Sequence, residues 1–180
     1  LLVMALKGVP AFYLPALLAS ENDIKSFSMT GQRRDLNREK FKLDNLVSVL
    51  NNPESNANKN IKYLGNAMDI RSKLEQFHPS SEMECLSKGR SDIVVIKRGK
   101  GPKSVFAIHN MTENKINYQL DDYDLPELID NDFNMKDFLA STKYNWKNIS
   151  LDPFQVIWLG SLMKCCLLYT SDAADEGLGV

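Results

Sequence analysis

The hydrophobic period of this chain changes near its middle, and that change limits its fold more than any other feature. Ile61, Leu64, Ala67, Met68, Ile70, Leu74 and Phe77 recur at helical spacing and stop before His78-Pro79. Leu43, Leu46, Val47 and Leu50 follow the same i, i+3, i+4, i+7 rule, so "LDNLVSVL" is a short amphipathic helix broken at Asn52-Pro53. "NNPESNANKN" reads as a polar linker between the two helices. Beyond Pro79 the period falls to two. "DIVVIKRG", "SVFAIHNMT", "KINYQL" and "ISLDPFQVIWL" are strand-like runs separated by breaker clusters such as "RGKGPK". The spacing predicts helices first and then a separate antiparallel β domain of roughly eighty residues, 80–164.

The start of the chain predicts a different unit. Leu1–Leu6 can close a helix, with Lys7 and Gly8 as its basic last turn and stop. "VPAFYL" then reads as a short strand whose apolar residues do not alternate, which suits a parallel strand covered on both faces, with Pro10 near its start. Helix, turn and buried strand make one α/β unit. From Ser20 to Arg38 the composition turns polar, which predicts a long irregular loop after that strand; structureless loops beyond about 12 to 15 residues tend to be functional.

Composition removes several function classes. Lys and Arg number 22 against 23 Asp and Glu, giving a net charge of -1 and no global attraction for nucleic acid or an anionic membrane. The longest apolar run, Val9 to Ala19, holds two prolines and falls short of the ~20 residues that a bilayer span needs. Three cysteines, with Cys165 and Cys166 adjacent, form neither a disulfide framework nor a metal-ligand spacing, so a reducing cytoplasm is the expected location. Both ends raise expectations of their own. Leu1 already lies inside the apolar stretch "LLVMALKGVPAFYL", so an N-terminal part is expected to precede it, and poor solubility is expected without that part. "CLLYTSDAADE" matches the translation of a transposon-end sequencing adapter, so residues 166–180 are set aside as not native.

Four segments in order, "LKGVPAFYL", "LLASENDIKSF", "TGQRRDLNREKF" and "LDPFQVIWL", carry a resemblance. Together they resemble the C-terminal third of glycoside hydrolase family 13 enzymes, on the branch of sucrose phosphorylase and glucosylglycerate phosphorylase, from about Leu1 to Leu162. The resemblance implies an α/β plus all-β fold: residues 1–79 as the last β/α unit of a (β/α)8 TIM barrel, followed by a small antiparallel β-sandwich-like domain. It also implies retaining α-glucosyl transfer, in which an aspartate attacks the anomeric carbon and a glutamate protonates the leaving oxygen. Inorganic phosphate then takes the glucosyl group as α-glucose 1-phosphate, with the two carboxyls about 5 to 5.5 Å apart. Those carboxylates belong to earlier strands, so no catalytic residue is assigned here and the fragment is expected to be inactive alone. No cofactor is expected; the partners are a small sugar and phosphate. A family 13 hydrolase or transglucosidase and a stand-alone carbohydrate-binding module are the alternatives, and the acceptor and the oligomeric state stay open.

Within the loop, Arg34 aligns with the family arginine that reaches the floor of the glucose pocket and pairs with an aspartate. A guanidinium suits that task because its planar fork can hold a carboxylate and donate to hydroxyls together. Arg33 is the weaker neighbour. Asn22 and Asp23, beside Glu21, form an acidic tip that can face the acceptor, while Asp35 and Asn37 read as turn-ordering residues. Arg33, Arg34, Arg38 and Lys40 do not make a nucleic-acid grip, because Asp35 and Glu39 interrupt them and no aromatic stacks nearby. His78, at a helix end, and His109, expected half-buried in a strand, lack acidic or cysteine partners in register and support neither a metal site nor a general base. Trp158 alternates with Phe154 and Val156 and reads as core; Trp146, among polar residues, is left open.

Overall fold

The computed structural model describes residues 1–37, 40–120 and 134–161. The set-aside segment 166–180 lies outside them, as does Arg38. Helices come first: α1 (Leu2–Ala5), α2 (Leu14–Leu17), α3 (Ile24–Thr30), α4 (Leu43–Asn51) and α5 (Asn56–Lys73). Strands β1 (Met83–Cys85), β2 (Ile93–Arg98), β3 (Val105–Asn110), β4 (Ile116–Tyr118), β5 (Asn134–Asp137), β6 (Lys143–Asn145), β7 (Ile149–Leu151) and β8 (Val156–Ser161) follow. The predicted order of helices before strands is therefore observed. The long helix starts earlier than its apolar stripe, because the Ser55 side chain caps it by accepting from Asn58 N at 3.1 Å. It ends at Lys73, and Glu75–Phe77 continues as a 3₁₀ turn.

The strands form a six-stranded sheet in the order β1-β2-β3-β8-β5-β6 and a two-stranded sheet β4-β7, with every pairing antiparallel. The run "ISLDPFQVIWL" is two strands rather than one. Asp152-Pro153 interrupts the ladder, Phe154 takes a positive φ of 53°, and β7 and β8 enter different sheets. β1, β5 and β6 are three or four residues long, too short for a period to declare itself.

The large sheet is covered on both faces, so its middle strand β3 is buried throughout although its neighbours are antiparallel. Ile93, Val95, Phe106, Ile108, Ile157 and Leu159 face the small sheet, where Ile149, Leu151, Leu120 and Trp146 complete a sandwich core. The alternate residues Ile96, Val105, Ala107 and Trp158 face the helices and pack with Met4, Ala5, Ala67 and Phe77. Trp158 is thus core, as its spacing predicts. Trp146 is buried as well, which removes it as a sugar-stacking ring. His109 is buried rather than half-exposed.

Two expectations at the N-terminal end are corrected. α1 stops at Ala5 and the chain turns at Gly8 with φ 105°, as foreseen, but Val9–Tyr13 is not a strand. It carries no regular secondary structure and no ladder among the described residues, Val9 is 81% exposed, and Leu14 already opens α2. A parallel strand needs neighbours on both edges, and both sheets here are antiparallel and built from later residues. Nor is Ser20–Arg38 irregular: it holds α3 and a 3₁₀ turn, Arg33–Asn37.

One cation joins the layers. Arg98, at the end of β2, is fully buried. Its Nη1 donates to Ala5 O at 2.9 Å and Leu6 O at 2.7 Å, its Nη2 to His78 O at 2.9 Å and its Nε to Glu82 O at 3.3 Å. The guanidinium also lies over the Phe77 ring, 5.5 Å from its centroid, and that ring meets Trp158 at 4.7 Å. Burial, with Arg71 nearby, lowers the Arg98 pKa, yet an arginine keeps its charge and the four carbonyl dipoles solvate it. Arg98→Met, similar in bulk but without donors, strands those carbonyls; we expect it to lower unfolding free energy by about 3 kcal/mol or more in urea titration, since each unmade buried bond costs about 1 to 3 kcal/mol.

Candidate functional site

The segment that carries the sequence-predicted site residues builds itself from its own polar side chains. Asp23 is the N-cap of α3: its carboxylate accepts from Ser26 N at 2.9 Å and from Ser26 Oγ at 2.5 Å. Those bonds to Ser26 hold the Asp23 carboxyl below its ordinary pKa. At the other end Gly31 takes the left-handed conformation, φ 65°, and its N–H donates to Phe27 O at 2.8 Å, ending α3 as a glycine C-cap does. Gln32 leads into the 3₁₀ turn that presents Arg33 and Arg34.

Two contacts close the segment into a compact loop. Thr30 Oγ1 donates to Asp35 Oδ2 at 2.5 Å, and Asp23 N donates to Leu36 O at 2.6 Å. Asp35 thus orders the turn, as its residue type suggests. Arg34 Nε stands 3.9 Å from Asp35 Oδ1, but the Arg34 side chain is 65% exposed, so this ion pair contributes little by itself. Arg33 is exposed too. The structure brings Asp23 to the base of the same loop that carries Arg33 and Arg34, and gives its carboxylate a structural task. Asn22 lies beside it and offers its carbonyl to Ile24 N.

A cleft of about 520 Å³ opens next to this segment, between α2, α4 and the start of α5, lined by Leu18, Lys40, Phe41, Leu46, Val49 and Ala57 among others. Neither Arg33 nor Arg34 lines it. Among the described residues no group of three or more His, Cys, Asp or Glu side chains could hold a metal, and no helix is long and apolar enough to cross a membrane. His78 is exposed and engages Ser80 Oγ at 2.7 Å. What sequence reasoning missed is the pair of arginines that hold the N-terminal turn, residues 4–8. Arg71 Nε donates to Met4 O and Nη2 to Gly8 O, both at 2.9 Å, and Arg98 takes the carbonyls between them. Backbone carbonyls leave no side-chain signature, so no motif announces these contacts.

The comparisons with known proteins bear on this arrangement. No family model matches the chain. The maltogenic amylase from S. marinus superposes with a TM-score of 0.57 at 16% identity, over 89% of this chain and 18% of that one, so the fold is one found in enzymes of the α-amylase class. The curated relatives are glucosylglycerate phosphorylases. That of Allomeiothermus silvanus is 30% identical over 112 residues, 62% of this chain and 20% of that protein. That of Escherichia coli is 20% identical over 158 residues, 88% of this chain and 26% of that protein. The resemblance carried by the four segments is borne out by these matches: the chain is similar to curated glucosylglycerate phosphorylases, on the branch those segments resemble. It spans about a fifth to a quarter of the length of the curated relatives it matches.

His109 gives the structure a measurable pH response. Its imidazole sits in β3 between Val94 and Val156 on the neighbouring strands, and burial pushes its pKa down to about 4. The folded state therefore holds it neutral, whereas the unfolded chain takes a proton near pH 6.5. Stability attributable to this group is full above pH 6.5 and is lost as pH falls toward about 4, by about 3 kcal/mol in all. In urea titrations from pH 7 to pH 4, His109→Gln should lack this component of the decline; an unchanged slope would place the proton elsewhere.

Proposed function

We propose that this chain is the C-terminal part of a retaining α-glucosyl phosphorylase that transfers glucose from a glycoside to inorganic phosphate. Residues 1–79 supply the last β/α unit of its (β/α)8 barrel and residues 80–164 its C-terminal β domain. The observation that carries the reading is the agreement of the relatives' identity with the order of "GVPAFYL", "SENDI" and "TGQRRDLNR" along one chain. The Val9–Tyr13 segment, without a ladder among the described residues and with Val9 and Tyr13 exposed, supports it, since a barrel strand finds its ladder only between two other parallel strands.

In this reading the loop after that segment lies at the catalytic mouth, where barrel enzymes place their sites. Arg34, exposed and held by a closed loop, projects its fork into the glucose pocket and pairs there with an aspartate from an earlier strand. Arg33 faces the acceptor side, with Asn22 and Asp23 at the loop base. The nucleophilic aspartate and the acid/base glutamate come from the preceding barrel strands, so the 180-residue chain alone turns over no substrate. Phosphate and a small sugar are the ligands, and no cofactor takes part.

Arg34→Ala in the complete enzyme tests the reading. Loss of a fork that orients the donor sugar should lower kcat/KM for phosphorolysis by on the order of 100-fold, as misplaced substrates generally do. Kinetics close to wild type would remove Arg34 from the pocket.

A further inference from the structure

The face of the large sheet that carries the helices runs one row further than the helices cover. Cross-strand partners set the rows: Arg98 with Val105 and Gly160, Ile96 with Ala107 and Trp158, Val94 with His109 and Val156. A fourth row lies just past the strand ends. Met111 N donates to Asp92 O at 2.9 Å, in the register of β2 and β3, and Phe154 N donates to Thr112 O at 3.0 Å. Met111 stands two residues beyond His109, so alternation puts it on the same face. The first two rows pack with Met4, Ala5, Ala67 and Phe77, and Val94 and Val156 in the third are half-buried. In the fourth, Met111 is 47% and Phe154 61% exposed.

Phe154 is held there under strain. Gln155 N donates to Asp152 O at 3.1 Å, so Asp152-Pro153-Phe154-Gln155 is a β-turn with proline second and Phe154 third. Its φ of 53° is the conformation that glycine or asparagine fills at that position, and a bulky side chain costs free energy in it. The charges beside the row pair with each other, Arg90 with Asp92 at 2.5 Å and Lys115 with Asp152 at 3.3 Å. What the tip offers a neighbour is therefore apolar.

Helix α1 points at this tip. Arg98 holds the Ala5 carbonyl at the first row. At the other end, the Leu1 amino group lies near enough to His109, in the third row, to add to the effect of burial on that imidazole. Followed backward from Ala5 to Leu1, α1 thus runs along the sheet toward Met111 and Phe154. One more row is about 7 Å, which a helix covers in about five residues. The inward face of α1 is Leu1, Met4 and Ala5, and its continuation falls about three, four and seven residues ahead of Leu1.

We propose that Met111 and Phe154 dock the part of this chain that immediately precedes Leu1, so that α1 is the end of a longer helix lying along the sheet. The occupant rests on the reading given above, in which a barrel helix precedes Val9–Tyr13, and on the chain spanning about a fifth to a quarter of its curated relatives. The row itself rests on geometry, and it continues a contact that α1 already makes. The β domain is then fastened to the barrel at this tip as well as at Arg98.

The test uses the complete protein with p-benzoylphenylalanine at position 111 or at position 154, irradiated and mapped by mass spectrometry. The expected product is an intramolecular crosslink to the roughly ten residues immediately ahead of Leu1. A crosslink between two copies, one confined to another segment, or none from either position overturns the docking. Phe154→Gly adds a readout in which the sign decides. Glycine relieves the positive φ, so at a free tip Tm stays or rises. At a docked tip a buried ring is lost, and Tm should fall by about 2 °C or more. An unchanged or higher Tm overturns the part given to Phe154. A complete protein without phosphorolysis overturns the phosphorylase reading, and the crosslink still decides the docking. An upstream frame too short to hold a helix overturns both.

Discussion

A guanidinium with no carboxylate among its described partners holds this structure together. Arg98 is buried where β2 meets the helical layer, and the groups that solvate it are backbone carbonyls from the end of α1, from His78 and from Glu82. The end of a helix presents just such unpaired carbonyls, and its dipole favours a cation there. The contact therefore satisfies a helix terminus and a buried charge together. It is also directional, because a planar fork accepts carbonyls only along its edges. Phe77 on Trp158 beneath it adds apolar burial to the same joint.

From that joint the arrangement of the N-terminal elements follows. With α1 held by Arg98, Arg71 holds the turn at Gly8, and Asn60 takes up the carbonyls at the end of α2. The Arg34 loop then closes on itself through Asp23, Thr30 and Asp35. The boundary expected near Pro79 is a packed joint, in which Ile96, Val105, Ala107 and Trp158 meet Met4, Ala67 and Phe77.

Much of this was legible in the sequence where a side-chain period reports burial. α4, α5, β2, β3 and β8 follow from it directly. The caps of α3 were also present, as Asp23 before "IKSFSMT" and Gly31 after it, but the polar composition of Ser20–Arg38 outweighed them. The strand expected at "VPAFYL" failed for a different reason: an apolar run states that a segment seeks burial, and not which strands lie beside it. Arg98, at the end of "DIVVIKRG", gave no sign of being buried, since its acceptors are main-chain atoms. The candidate site rests on the resemblance. Composition placed four cations in twelve residues, and geometry assigned Asp23 and Asp35 to ordering the loop, with Arg33 and Arg34 exposed on it.

The most direct test of the account is the DNA sequence upstream of the codon for Leu1. We predict that the reading frame continues through several β/α repeats and carries, at strand ends, an aspartate and a glutamate that fold to within about 5 to 5.5 Å of each other, as double displacement requires. An in-frame start codon immediately ahead of Leu1, with no barrel preceding it, would contradict the account.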